Sequence, residues 1–143
     1  MAASPATRRF GYSVAIVINA GFLVVVNNVL AWGWFPWLTD DFEQVLPLIS
    51  LQLVAGILIN VAYLFYDKAR FKSASQILVN LIGLGATVRT LQVFPFDFSA
   101  YEFNWAAVAR VVLILGILAS TAAIISEVVK LAKSLRTPEA IPQ

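Results

Sequence analysis

The chain has 143 residues, of which 60% are hydrophobic and only 13% charged, with a mean hydropathy of +0.83; a soluble globular domain carries about a quarter charged residues, so a soluble class is excluded. Cysteine and histidine are both absent, which excludes disulfides, thiol nucleophiles, histidine-ligated haem and the usual zinc sites. The net charge of +2 arises from basic residues scattered beside apolar stretches, so it points to anionic lipid and not to nucleic acid.

The composition predicts an all-α integral membrane protein with four transmembrane helices, arranged up-down-up-down as a bundle with short loops. A hydrocarbon layer about 30 Å thick takes about 20 apolar residues of helix. Such stretches lie at about 11–31, 45–66, 73–94 and 105–129. They form a single domain over 1–143, with loose cytoplasmic tails at 1–7 and 137–143, where small, polar and proline residues collect. Each stretch is continuously apolar and does not alternate, which is the pattern of a helix in lipid and not of a barrel strand.

The first stretch follows Arg8 and Arg9 and would pass for a signal peptide, but it is too long and is interrupted by Asn27 and Asn28. It reads as an uncleaved helix with Tyr12 and Asn19 among its polar positions. Trp32, Trp34 and Trp37 come next, rings of the kind that settle at a membrane interface, and Asp40, Asp41 and Glu43 follow them. Asp40 and Glu43 have capping-box spacing, yet Pro47 would break a helix running through both. A short interfacial turn is expected there, with the second helix starting near Pro47. That helix carries Gln52, Gly56, Asn60 and Tyr63 on one face.

The second connection holds Asp67 among Lys68, Arg70 and Lys72. In the third helix Gln76, Asn80, Gly83, Thr87 and Thr90 fall within one narrow stripe at 100° per residue, and Arg89 lies about 140° from Gln76. The third connection repeats the aromatic and acidic flavour of the first, with Phe94, Phe96, Asp97, Phe98, Tyr101 and Glu102. Ser99 and Glu102 again have capping-box spacing, which would start the fourth helix ahead of Trp105. In that helix Ala109, Gly116, Ser120, Ala123 and Glu127 share a face, and Arg110 lies about 90° from it.

Of the ten Lys and Arg, Arg8, Arg9, Lys68, Arg70, Lys72, Lys130, Lys133 and Arg136 flank the apolar stretches on one side. The positive-inside rule therefore puts both termini in the cytoplasm, with the plasma membrane as the expected location. Arg89 and Arg110 are left over, each a few residues inside the opposite boundary. A charge there costs about 2.5 to 3.5 kcal/mol, so each arginine either snorkels toward Asp97, Glu102 or a lipid phosphate, or forms a two-arginine anion or headgroup site. Asn19, Asn60 and Asn80 fall at similar depth and suggest one polar layer, with Gln52 on the same helix face as Asn60; packing and a hydrated path are both open to it.

No phosphate-binding glycine loop, nucleophile elbow or metal-ligand cluster is present in the sequence, so no catalytic residue, metal or cofactor is assigned. The expected role is non-enzymatic: an interaction, accessory-subunit or scaffold component of the membrane. A small transporter or channel for an anion or small polar solute, or a lipid or amphiphile sensor, is the alternative. The candidate ligand or partner residues are Arg89, Arg110, Asn19, Asn60, Asn80, Gln52, Asp97 and Glu102, and the interface anchors are Trp32, Trp34, Trp37 and Trp105. The expected partners are the bilayer, anionic lipids included, and either further copies of the chain or a larger membrane complex.

Overall fold

The computed structural model describes residues 4–136, so the tail expected to be loose at 137–143 lies outside the described residues. The described chain is helical: α1 is Pro5–Trp32, α2 Leu46–Phe65, α3 Ala69–Val93 and α4 Trp105–Arg136, with a 3-10 turn at Asp40–Gln44 between α1 and α2. All four α-helices are long and apolar enough to cross a membrane.

The helix ends follow local chemistry. Ser4 caps α1 by accepting from the Thr7 amide at 3.2 Å, and Pro5 supplies a first helical position that needs no amide donor. This is why α1 begins within 1–7, a stretch expected to be loose. Gly33 ends it in the left-handed region at φ 63°, with its amide donating to the Val29 and Leu30 carbonyls. Pro47 sits in the first turn of α2, after the short 3-10 turn, as its spacing predicts.

Only residues 66–68 separate α2 from α3, so α3 starts earlier than its apolar stretch. The capping box expected of Ser99 and Glu102 does not form. The Ser99 amide instead donates to Asp97 Oδ1 at 3.0 Å, and Asn104 caps α4 by accepting from the Ala107 amide at 3.1 Å, which starts that helix at Trp105. Its far end runs on to Arg136, where Lys133 and Arg136 suit the negative end of the helix dipole.

The helices pair in chain order: α1 on α2, α2 on α3 and α3 on α4, with α2/α3 the least extensive of the three contacts. Among the described residues no comparable contact joins α1 to α4, so the helices form an open row. A small residue marks each seam. A Cβ on Gly56 would lie 3.2 Å from Asn19 Oδ1 of α1, one on Gly83 2.6 Å from Gln52 Nε2 of α2, and one on Gly116 3.5 Å from Thr87 Cγ2 of α3. Close backbone approach at glycine is how helices gain contact where burial from water gives no drive between them.

The two aromatic connections are tied together. Leu38 and Phe96 form an isolated antiparallel bridge, the Thr39 amide donates to the Pro95 carbonyl at 2.9 Å and the Asp97 amide to the Trp37 carbonyl at 2.7 Å. Beneath them Val29, Phe42 and Val45 form a buried cluster, with Leu30, Leu38, Ile49 and Val93 packed around it. This is the main apolar core, and it joins α1, α2, α3 and the 3-10 turn. Next to Leu38 in the chain, Thr39 Oγ1 is buried with no hydrogen-bond partner among the described residues. Thr39→Val removes an unsatisfied hydroxyl while keeping the branched shape, and is expected to raise stability by about 1 kcal/mol in thermal unfolding; an unchanged or lower midpoint would refute this.

Candidate functional site

At the aromatic end, two cavities adjoin. The first, of about 410 Å³, lies between Trp37 and Phe98 of the connections, Tyr101, and the first turns of α4 at Trp105, Val108 and Ala109. The second, of about 490 Å³, shares Phe98, Tyr101 and Trp105 with it and adds Asp97, Glu102 and Arg110. The walls are built by ring packing: Trp37 meets Phe98 at 5.4 Å and Phe96 at 5.8 Å, and Phe103 meets Trp105 edge-on at 4.9 Å. Phe94 closes α3 at φ 46°, a left-handed conformation that a non-glycine residue adopts only when its surroundings hold it. Its ring meets Phe96 edge-on at 5.3 Å and carries the Arg110 guanidinium 4.3 Å from its centroid.

Arg110 therefore has a defined seat. It makes no ion pair or hydrogen bond among the described residues, so its N–H edges stay available beside the exposed carboxylates of Asp97 and Glu102. The Ser99 hydroxyl and amide hold the Asp97 carboxyl below its ordinary range. Arg89 lines neither of these cavities: it is exposed on α3 with no partner among the described residues. The tryptophans divide by contact: half-buried Trp37 and exposed Trp105 line the first cavity, whereas Trp32 and Trp34, also exposed, pair with each other at 4.6 Å and line neither cavity.

The midsection holds the amides. Asn19, Asn60 and Asn80 each donate to the carbonyl four residues back in their own helices, Ala15, Gly56 and Gln76, at 2.7 to 2.9 Å. Asn19 also packs on Gly56, so the first two amides meet the same residue of α2. The three do not bond one another, and Gln52 fills the notch at Gly83. Such back-bonding satisfies a donor without a neighbouring helix.

At the opposite end is a cluster that residue patterns alone did not pick out. Asp67 receives Arg8 Nε at 2.6 Å, Lys72 Nζ at 2.9 Å and the Tyr12 hydroxyl at 3.0 Å. These donors, Lys72 foremost and then Arg8, lower its carboxyl from 3.8 to about 2. Lys72 Nζ also stands 4.9 Å over the Tyr12 ring and 5.7 Å from that of Tyr63. Tyr63 is buried, hydrogen-bonds Ser75 and accepts from Gln76 Nε2 at 3.2 Å. Arg70 reaches across to the end of α4, donating to Ser134 Oγ at 2.8 Å and its carbonyl at 2.7 Å. Glu127 meets its own helix neighbour Lys130 at 3.4 Å. The available signal was a lone carboxylate set among basic residues, but its partners lie 59 residues before it in Arg8 and one turn into α3.

The geometry thus separates a structural clamp at the basic end from an open, chemically mixed groove at the aromatic end. Comparison with known proteins adds no analogy to this arrangement, since no family model, curated protein or solved structure matches the chain.

Proposed function

We propose that the protein is a small, non-enzymatic interaction or accessory component of the plasma membrane, with its four helices crossing up-down-up-down and both termini in the cytoplasm. The observation that carries this reading is Arg89: a guanidinium exposed on a long apolar helix, with no partner among the described residues. In lipid such a group is costly, and an acidic or polar side chain of another chain would relieve it. The open row supports the same reading, because α1 and α4 keep faces that a closed bundle would cover. The basic residues at the Asp67 end and the acidic, aromatic loops at the other support the orientation. A transporter or channel has less support, since each asparagine amide has an acceptor in its own helix.

The test is extraction from native membranes into polymer-bounded discs without detergent, followed by mass measurement and photo-crosslinking from position 89. The expected result is an assembly heavier than the 15.6 kDa chain, which Arg89→Gln reduces to single copies while the helical content is unchanged. Single copies of the wild type that carry specific ion flux in liposomes would overturn it in favour of the transporter.

A further inference from the structure

We propose that the groove at the aromatic end is a binding site for a single zwitterionic phospholipid, its phosphate on Arg110, its amine toward Asp97 and Glu102, and an acyl chain in the adjoining cavity beneath Trp37 and Trp105. Three observations lead there. The groove has two compartments of different chemistry: a cavity of about 410 Å³ walled by rings and by Val108 and Ala109, and one of about 490 Å³ that holds the charged groups. Both fall in the roughly 300–1,000 Å³ range of small-molecule sites. They share Phe98, Tyr101 and Trp105, so one molecule with an apolar and a polar part can occupy both.

Charge selects the head. Arg110 offers a guanidinium that is seated 4.3 Å from the centroid of the Phe94 ring and whose N–H groups have no protein acceptor among the described residues. A planar fork of that kind matches two phosphate oxygens. Two carboxylates stand in the same compartment as this one cation. A purely anionic head would gain the guanidinium and face both carboxylates, and a purely cationic one would face Arg110. A head carrying both signs complements all three groups.

Position fits the same ligand. The apolar compartment is lined by the first turns of α4, a helix apolar enough to cross a membrane, so lipid tails packed along that helix lie next to it. The site does not involve Arg89, the residue on which the proposed assembly rests.

The test uses full-length protein, stripped of lipid in detergent and titrated by native mass spectrometry. The probes are phosphatidylethanolamine and phosphatidylglycerol with identical acyl chains, and phosphoethanolamine as a head without a tail. The expected result is one tightly held phosphatidylethanolamine per chain, about tenfold preferred over phosphatidylglycerol, with no measurable binding of the tailless head. Arg110→Gln should weaken the ethanolamine lipid about tenfold. The pair Asp97→Asn with Glu102→Gln should abolish the preference between the two lipids. All three positions are exposed, and circular dichroism with size-exclusion chromatography verifies that the variants fold. Equal retention of both lipids by the wild type, full retention by Arg110→Gln, or binding of the tailless head as tight as that of the lipid would each overturn the proposal.

Discussion

Gly83→Leu is expected to destabilise the protein by about 3 kcal/mol, the upper part of the range for overpacking a tight contact. A Cβ at this position would already lie 2.6 Å from Gln52 Nε2, and the next atoms of a leucine would reach further into α2. Glutamine can swing its amide away from a single added carbon, so Gly83→Ala should have a small effect, with the gain in helix propensity offsetting the lost fit. It cannot make room for a whole isobutyl group. The effect is large because α2/α3 is the least extensive seam in the row, and among the described residues no other seam of comparable extent joins the α1/α2 pair to the α3/α4 pair.

Thermal unfolding in micelles, followed by near-ultraviolet circular dichroism, measures the loss. Gly85→Leu is the control: it lies on the same helix with nothing within 4 Å of an added Cβ, and should leave the midpoint near that of the wild type. Shortening the opposing side chain should recover part of the loss, so Gly83→Leu combined with Gln52→Ala should be more stable than Gly83→Leu alone. Residues in direct contact couple by about 0.5 to 3 kcal/mol. Equal midpoints for the two leucine variants would show that the notch has no role in the seam.

Acidification tests the clamp at the other end. The Asp67 carboxyl is held at about 2 in the folded chain against an ordinary value of 3.8. A lowered value means that its contribution is complete above the unfolded value, declines as the pH falls from 3.8 toward 2, and is absent below that. Asp67→Asn should therefore remove stability at neutral pH and flatten this part of the stability profile. The expected size is on the order of 1 kcal/mol, because water screens a cluster whose Asp67, Arg8 and Lys72 side chains are 23%, 35% and 33% exposed. Urea unfolding between neutral pH and pH 2 measures it. A variant that keeps the wild-type slope in this interval would place the acid sensitivity elsewhere.

Asp67 also shows why part of the site was hidden in the sequence. Its basic neighbours are visible, but Lys68 sits beside it and does not pair, whereas Arg8, from the start of α1, does. Helix wheels place residues on faces and do not say which face meets which helix. The stripe Gln76, Gly83 and Thr87 on α3 was legible for this reason, and its division was not: Gln76 and Gly83 turn to α2, and Thr87 turns to Gly116 on α4. Depth matching brought the three asparagines to one level. Depth alone does not choose between a neighbouring helix and the asparagine's own carbonyl one turn back, and each of the three turns to its own backbone.

The arginines show the same limit from the other side. Arg89 and Arg110 look equivalent in the sequence, each a few residues inside an aromatic boundary. Phe94 makes them different, since its left-handed turn ends α3 and sets its ring under Arg110 of the next helix.

What the sequence determined by itself is what local forces decide: four helices long and apolar enough to cross a membrane, with the second starting near Pro47 after a short turn, since hydropathy and proline geometry act within a turn or two of the chain. The tertiary structure alone decided that the helices pair as an open row, that Asp67 clamps α1 to α3, and that Arg110 and not Arg89 joins the aromatic groove. Those outcomes depend on contacts such as Leu38 with Phe96, between segments far apart in the chain. Periodicity within one helix carries no information about them.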